Sequence, residues 1–97
     1  MREIEIVQKF MRDIYDLCRK STQEEVSKVT GISVNILSKI YADLDHVNGR
    51  ENFSPIEIIG NNSDFYIEKL GIEKIKEHIS RMDYYRGMIF QLQNNQN

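Results

Sequence analysis

One proline, Pro55, interrupts this chain, and its apolar residues recur three and four apart over most of its length. Those two features confine it to helices. Ile4, Val7, Met11, Ile14 and Cys18 share one stripe, widened by Phe10 and Leu17, which predicts an amphipathic helix over 4–19. Next comes a helix start, where Ser21 with Glu24 or Thr22 with Glu25 fits a capping box. Val26 and Val29 supply that helix's buried side, and Gly31 offers the left-handed residue that ends it. Ser33 caps a further helix carrying Leu37, Ile40, Tyr41 and Leu44. Asp45 to Asn52 reads as a polar loop. Ser54-Pro55 then opens a short helix ending at Gly60, and Asn61 to Asp64 reads as a second break. The stretch 64–70 reads as a helix, with a single alternating strand as the alternative. Residues 72–93 read as one long helix, and the Asn/Gln tail frays. The expected fold is all-α: one domain over 1–97, a compact bundle of about five helices ending in a long one.

Composition narrows the function classes. The 97 residues carry 13 basic and 15 acidic side chains, net -2. The charge divides unevenly, because the residues after 50 hold all of the acidic excess. A domain of this size buries only roughly 60–65% of its unfolded surface, so a dimer partner would help it. No apolar run approaches the roughly 20 residues of a membrane span. The start, MREIEIVQKF, is too charged for a signal peptide, and Cys18 alone cannot form an internal disulfide. The expectation is a cytoplasmic protein with no membrane partner. Cys18 with His46 and His78 cannot build a common zinc site, and the phosphate-loop, dinucleotide and nucleophile-elbow motifs are missing. Nothing calls for an enzyme or a cofactor. The histidines read as ordinary surface or half-buried residues, Cys18 as a buried inert thiol, and Tyr84-Tyr85 as packing residues.

The information lies in the run from Gln23 to Tyr41. Two helices crossing near a right angle need a small residue at the crossing, and Ser27 is there. They need a turn residue that tolerates left-handed geometry, and Gly31 follows four later. Val26, Ile32, Leu37 and Ile40 have the offsets of a shared wedge. The run resembles the helix-turn-helix of the phage repressor (Cro/C1, XRE-type) family. Gln23, Ser27, Gly31, Ile32, Leu37 and Ile40 match its pattern, and the helix over 4–19 takes the place of the family's first helix. The likeness spans 4–44 and fades beyond residue 45.

The resemblance implies that the second helix of the motif enters the major groove of double-stranded DNA. Ser33, Val34, Asn35, Ser38 and Lys39 would then face base edges. Asn35 suits adenine, Val34 a thymine methyl, and Lys39 either guanine or a phosphate. Thr22 and Gln23, at the start of the first motif helix, would meet a phosphate oxygen, with Lys28 and Arg50 as further phosphate contacts. The bland reading of the polar positions is a solvated helix face, and that of the apolar ones is core.

Residues 54–93 are the expected dimerisation part. Ile72, Ile75, Ile79, Met82 and Ile89 form an apolar seam on the last helix, suited to a second copy of the chain. The leading expectation is a homodimeric transcriptional repressor on a palindromic operator, with autoregulation of a small mobile-element operon implied by the resemblance. A basic footprint, the usual mark of nucleic-acid binding, is missing from the net charge. That predicts modest, salt-sensitive binding. It also keeps open a second class: a protein-binding module that retains the scaffold and acts on another regulatory protein, as anti-repressors and phage inhibitors of host defence do.

Overall fold

In a computed structural model, the structure describes residues 2–48 and 55–95, with side chains over 2–45 and 63–95. Helix α1 spans Glu3–Lys20, α2 Gln23–Thr30, α3 Val34–Asn48, α4 Pro55–Leu70, α5 Ile72–Ser80 and α6 Met82–Asn94. Among the described residues the fold is all-α, as the apolar spacing requires, and none of the helices is long and apolar enough to cross a membrane.

Helix α1 is the central element and packs against α3, α4 and α5, while α2 lies against α3 and α6. Its stripe is buried as a unit: Val7, Phe10, Met11 and Ile14 are fully enclosed. Glu3 and Glu5 in its first turn and Arg19 and Lys20 in its last oppose the helix dipole with favourable charge. Between the two capping arrangements open to the sequence, α2 uses Thr22 with Glu25. The Thr22 hydroxyl accepts the Glu25 N–H at 3.1 Å, and the Glu25 carboxylate accepts the Thr22 N–H at 3.0 Å. Ser21 instead donates to the Leu17 carbonyl at 2.7 Å, closing the end of α1. Gly31 adopts φ 80°, and its N–H donates to the Ser27 carbonyl at 2.8 Å. A side chain there would be strained by the backbone angle alone. Ser33 accepts the Ile36 N–H at 3.3 Å and so caps α3.

Three expected boundaries are corrected. Helix α3 does not stop at Leu44 but runs through Asp45 to Asn48. The Tyr15 hydroxyl donates to the Asp45 carboxylate at 3.1 Å and ties that extra turn to α1. Residues 49–54, with Arg50, lie outside the described residues. The short helix, the break at Asn61–Asp64 and the ambiguous 64–70 stretch are one helix, α4. Glycine and asparagine cost a helix up to about 1 kcal/mol each. Burial of the Tyr66 ring in the same helix offsets that cost, and its hydroxyl donates to Asp43 at 3.0 Å.

The long terminal helix is two helices, broken at Arg81, which sits at φ -102°, ψ 10°. Helix α5 packs on α1 whereas α6 packs on α2, so the two halves of the expected rod serve different neighbours. The expected dimer seam changes meaning with it. Ile75, Met82 and Ile89 are buried in the chain's own core at 0, 4 and 5% exposure, and Ile72 and Ile79 pack against that core. A 3–4 apolar period records burial without saying whose surface does the burying. Ile75, Met82 and Ile89 of the stripe are thus taken up by the chain's own core.

His78 is buried too, at 3% exposure, which corrects its reading as a surface or half-buried residue. Its Nδ1 lies 2.7 Å from the Tyr85 hydroxyl, bridging α5 and α6, and its ring lies 5.8 Å from that of Phe10. Burial, with help from Lys74 and Arg81 and against Glu77, holds its pKa below the ordinary 6.5. The folded chain therefore binds fewer protons at this site than the unfolded chain. Its stabilisation is fully present above about pH 6.5 and is lost as pH falls below that value. Thermal melts between pH 7.5 and 5.5 are expected to show a falling midpoint that flattens in His78→Gln. An equal slope in both proteins would place the titration elsewhere. Cys18 is buried as expected, and burial pushes its thiol up to about 11.

Candidate nucleic-acid interface

The surface built by α2, the Gly31 turn and α3 follows from which side of α3 the core takes. Leu37, Ile40 and Leu44 turn inward. By helical spacing the opposite side carries Val34, Asn35 and Ser38, with Ser33 just before it, and all four are exposed. Val34 is one of only three large apolar residues exposed among the described ones, at 37%. The row is short, small and polar, with one methyl-bearing side chain, and it carries no formal charge. The chain's own tail through Asn95 leaves all four uncovered.

Two contacts order the row. The Ser38 hydroxyl donates to Gln23 Oε1 at 2.6 Å, so the first residue of α2 is fastened to the second turn of α3. Ser38 spends its proton on Gln23, and its oxygen remains an acceptor. The Gln23 –NH2 keeps its two donors. The second contact removes a residue from the row. Lys39 is half-buried on the α4 side, with Nζ 3.7 Å from Asp43 and 4.9 Å from the Phe65 ring centre. The same Asp43 oxygen accepts the Tyr66 hydroxyl. Lys39 is therefore neutralised in place and leaves the line formed by Asn35 and Ser38.

The helix start at Thr22 also differs from its expected use. Both the N–H and the hydroxyl of Thr22 donate to the Glu25 carboxylate, at 3.0 and 3.1 Å. A carboxylate already occupies the place a phosphate would take. Gln23 keeps its donors, and Lys28 is exposed on the outer side of α2, beside the equally exposed Glu24. Arg50 lies outside the described residues. The structure thus groups Ser33, Val34, Asn35, Ser38 and Gln23, and it sets Thr22 and Lys39 to internal work. The sequence reading missed the Gln23–Ser38 bond. It also missed the Lys39–Asp43 pair, although the i, i+4 spacing of the two was a signal for it.

No family model matches this chain, and neither does any curated protein or solved structure.

Proposed function

We propose that the chain is a sequence-specific DNA-binding regulator of the helix-turn-helix kind, a cytoplasmic repressor that acts as a pair of copies on a palindromic site. Helix α3 is the element that enters the major groove. The observation that carries this reading is the exposed, uncharged row of Ser33, Val34, Asn35 and Ser38, locked to α2 through Gln23. Asn35 supplies a bidentate donor and acceptor for adenine, and Val34 supplies apolar contact for a thymine methyl. Ser38, with its proton committed, accepts from the amino group of adenine or cytosine. Gln23 and Lys28 serve phosphates and set the register.

A specific observation favours a second reading. Among the described residues the face holds Lys28, with Glu24 four residues before it, and Lys39 is paired with Asp43. A neutral polar face of this kind also suits a protein partner, and in that reading the chain binds another regulator and no DNA.

The distinguishing experiment is a fluorescence titration with a duplex selected by the protein. Asn35→Ala is expected to lose about 1–3 kcal/mol of discrimination, roughly a 5- to 150-fold change, at one base position. The circular dichroism spectrum is expected to stay unchanged, because Asn35 is exposed. Lys39→Ala is expected to change little, since its charge is already paired. Unaltered binding in Asn35→Ala would contradict the groove assignment, and absence of any sequence preference in the parent chain would favour the protein-binding reading.

A further inference from the structure

Helix α6 carries the two most exposed large apolar side chains among the described residues, Tyr84 at 55% and Phe90 at 65%, with Arg81 lying over the Tyr84 ring at 5.5 Å. Midway between them is Gly87, in the middle of a helix, where glycine is among the least favourable residues. A Cβ built at Gly87 meets nothing within 4 Å, and its φ is ordinary. Neither the chain's packing nor its backbone asks for glycine there. Helical spacing puts Asp83, Tyr84, Gly87, Phe90 and Gln91 on one outward side, opposite buried Tyr85 and Ile89.

We propose that this face is where two copies of the chain meet, with the α6 helices crossing antiparallel about a two-fold axis at Gly87. The inference takes up the pairing assumed in the function above, but its test uses no DNA, so the two can fail separately. The sequence around Gly87 is complementary to its own reverse. Three residues before it stands Tyr84 and three after it Phe90, so each Tyr84 meets the partner's Phe90. Four before it stands Asp83 and four after it Gln91, so each carboxylate meets the partner's side-chain amide. A parallel crossing would instead set Asp83 against the partner's Asp83, with like charges opposed. Asp83 is also balanced by its own Arg86 at 3.1 Å, which leaves the face without net charge. Glycine at the axis lets the two backbones approach closely, as it does in tightly crossed helix pairs. One pair of 13-residue helices buries less than the roughly 1,200 Å² of stable complexes, so the dimer is weak and depends on concentration.

Sedimentation equilibrium of the full chain, from micromolar to submillimolar concentration, is expected to show the mass rising from 11.5 kDa toward twice that value. Gly87→Gln is expected to stay monomeric while melting at the same or a higher temperature, since a side chain there is free in the monomer and favours the helix. A parent chain that stays at 11.5 kDa throughout, or a Gly87→Gln chain that still associates, would overturn the proposal. Cysteine cross-linking under mild oxidation reads the register, and buried Cys18 contributes no background. Gly87→Cys is expected to form a covalent dimer. Tyr84→Cys alone is expected not to, whereas Tyr84→Cys combined with Phe90→Cys is. Cross-linking of Tyr84→Cys alone as readily as the double variant would overturn the antiparallel arrangement.

Discussion

Ser38→Glu is expected to abolish sequence-specific DNA binding while the chain still folds. Ser38 is exposed on α3, and its one described side-chain bond goes to Gln23 at 2.6 Å. A glutamate there exchanges a donor for a carboxylate, so the bond to Gln23 Oε1 is lost and the groove-facing row gains a negative charge. Like charges set together at an interface cost several kcal/mol, here against base acceptors and phosphates. The expected loss in affinity is therefore about a hundredfold or more, with each tenfold step worth about 1.4 kcal/mol. Surface substitutions away from packed features change stability by about 0.5 kcal/mol or less, so the melting temperature should move little. Gel-shift titration beside a thermal melt separates the two effects. Retained affinity would mean that the Ser38 side of α3 does not face DNA.

Phe10→Ala is expected to cost about 3–5 kcal/mol of folding stability, the range for a fully buried aromatic residue. Phe10 is 0% exposed at the middle of α1, the helix that α3, α4 and α5 all pack against. Its ring also abuts that of His78, so truncation leaves a cavity next to a polar group. Small domains are stable by about 5–15 kcal/mol, so this one change removes a large share of the total. At roughly 4–8 °C per kcal/mol for a chain of this size, the melting midpoint should fall by more than about 12 °C. A drop of only a few degrees would show that α1 is not the helix the others depend on.

The parts of this molecule legible in the sequence are those fixed by local chemistry. The α1 stripe needs only its own periodicity. A capping box at Ser21 or Thr22 and the left-handed Gly31 are decided within a few residues, and so is the Ser33 cap; that Thr22 takes the box is read only from the structure. What the sequence concealed depends on distant neighbours. Asp45 begins a polar run that looks like a loop, yet Tyr15 holds it helical from α1. Gly60 and Asn61 look like a stop, yet α4 continues through them toward buried Ser63 and Tyr66. The break at Arg81 carries neither proline nor glycine to announce it, and it falls where the packing changes from α1 to α2. Ile75, Met82 and Ile89 show that an apolar seam reads the same whether it covers its own core or a partner.

The site divides along the same line. Val34, Asn35 and Ser38 were legible as an exposed side because the opposite side is apolar. Lys39 was not, since a long side chain one residue further round the helix finds Asp43 and Phe65 first. Thr22 could not serve both its own helix cap and a phosphate, and the neighbouring carboxylate takes its donors.

Selection of duplexes from a random DNA pool by the purified chain, followed by sequencing, tests the central claim most directly. The account expects convergence on short half-sites in inverted repeat, about one helical turn apart. The base preference should lapse at one position in Asn35→Ala and vanish in Ser38→Glu. A pool that remains random with the parent chain, or one enriched identically by all three proteins, would contradict it.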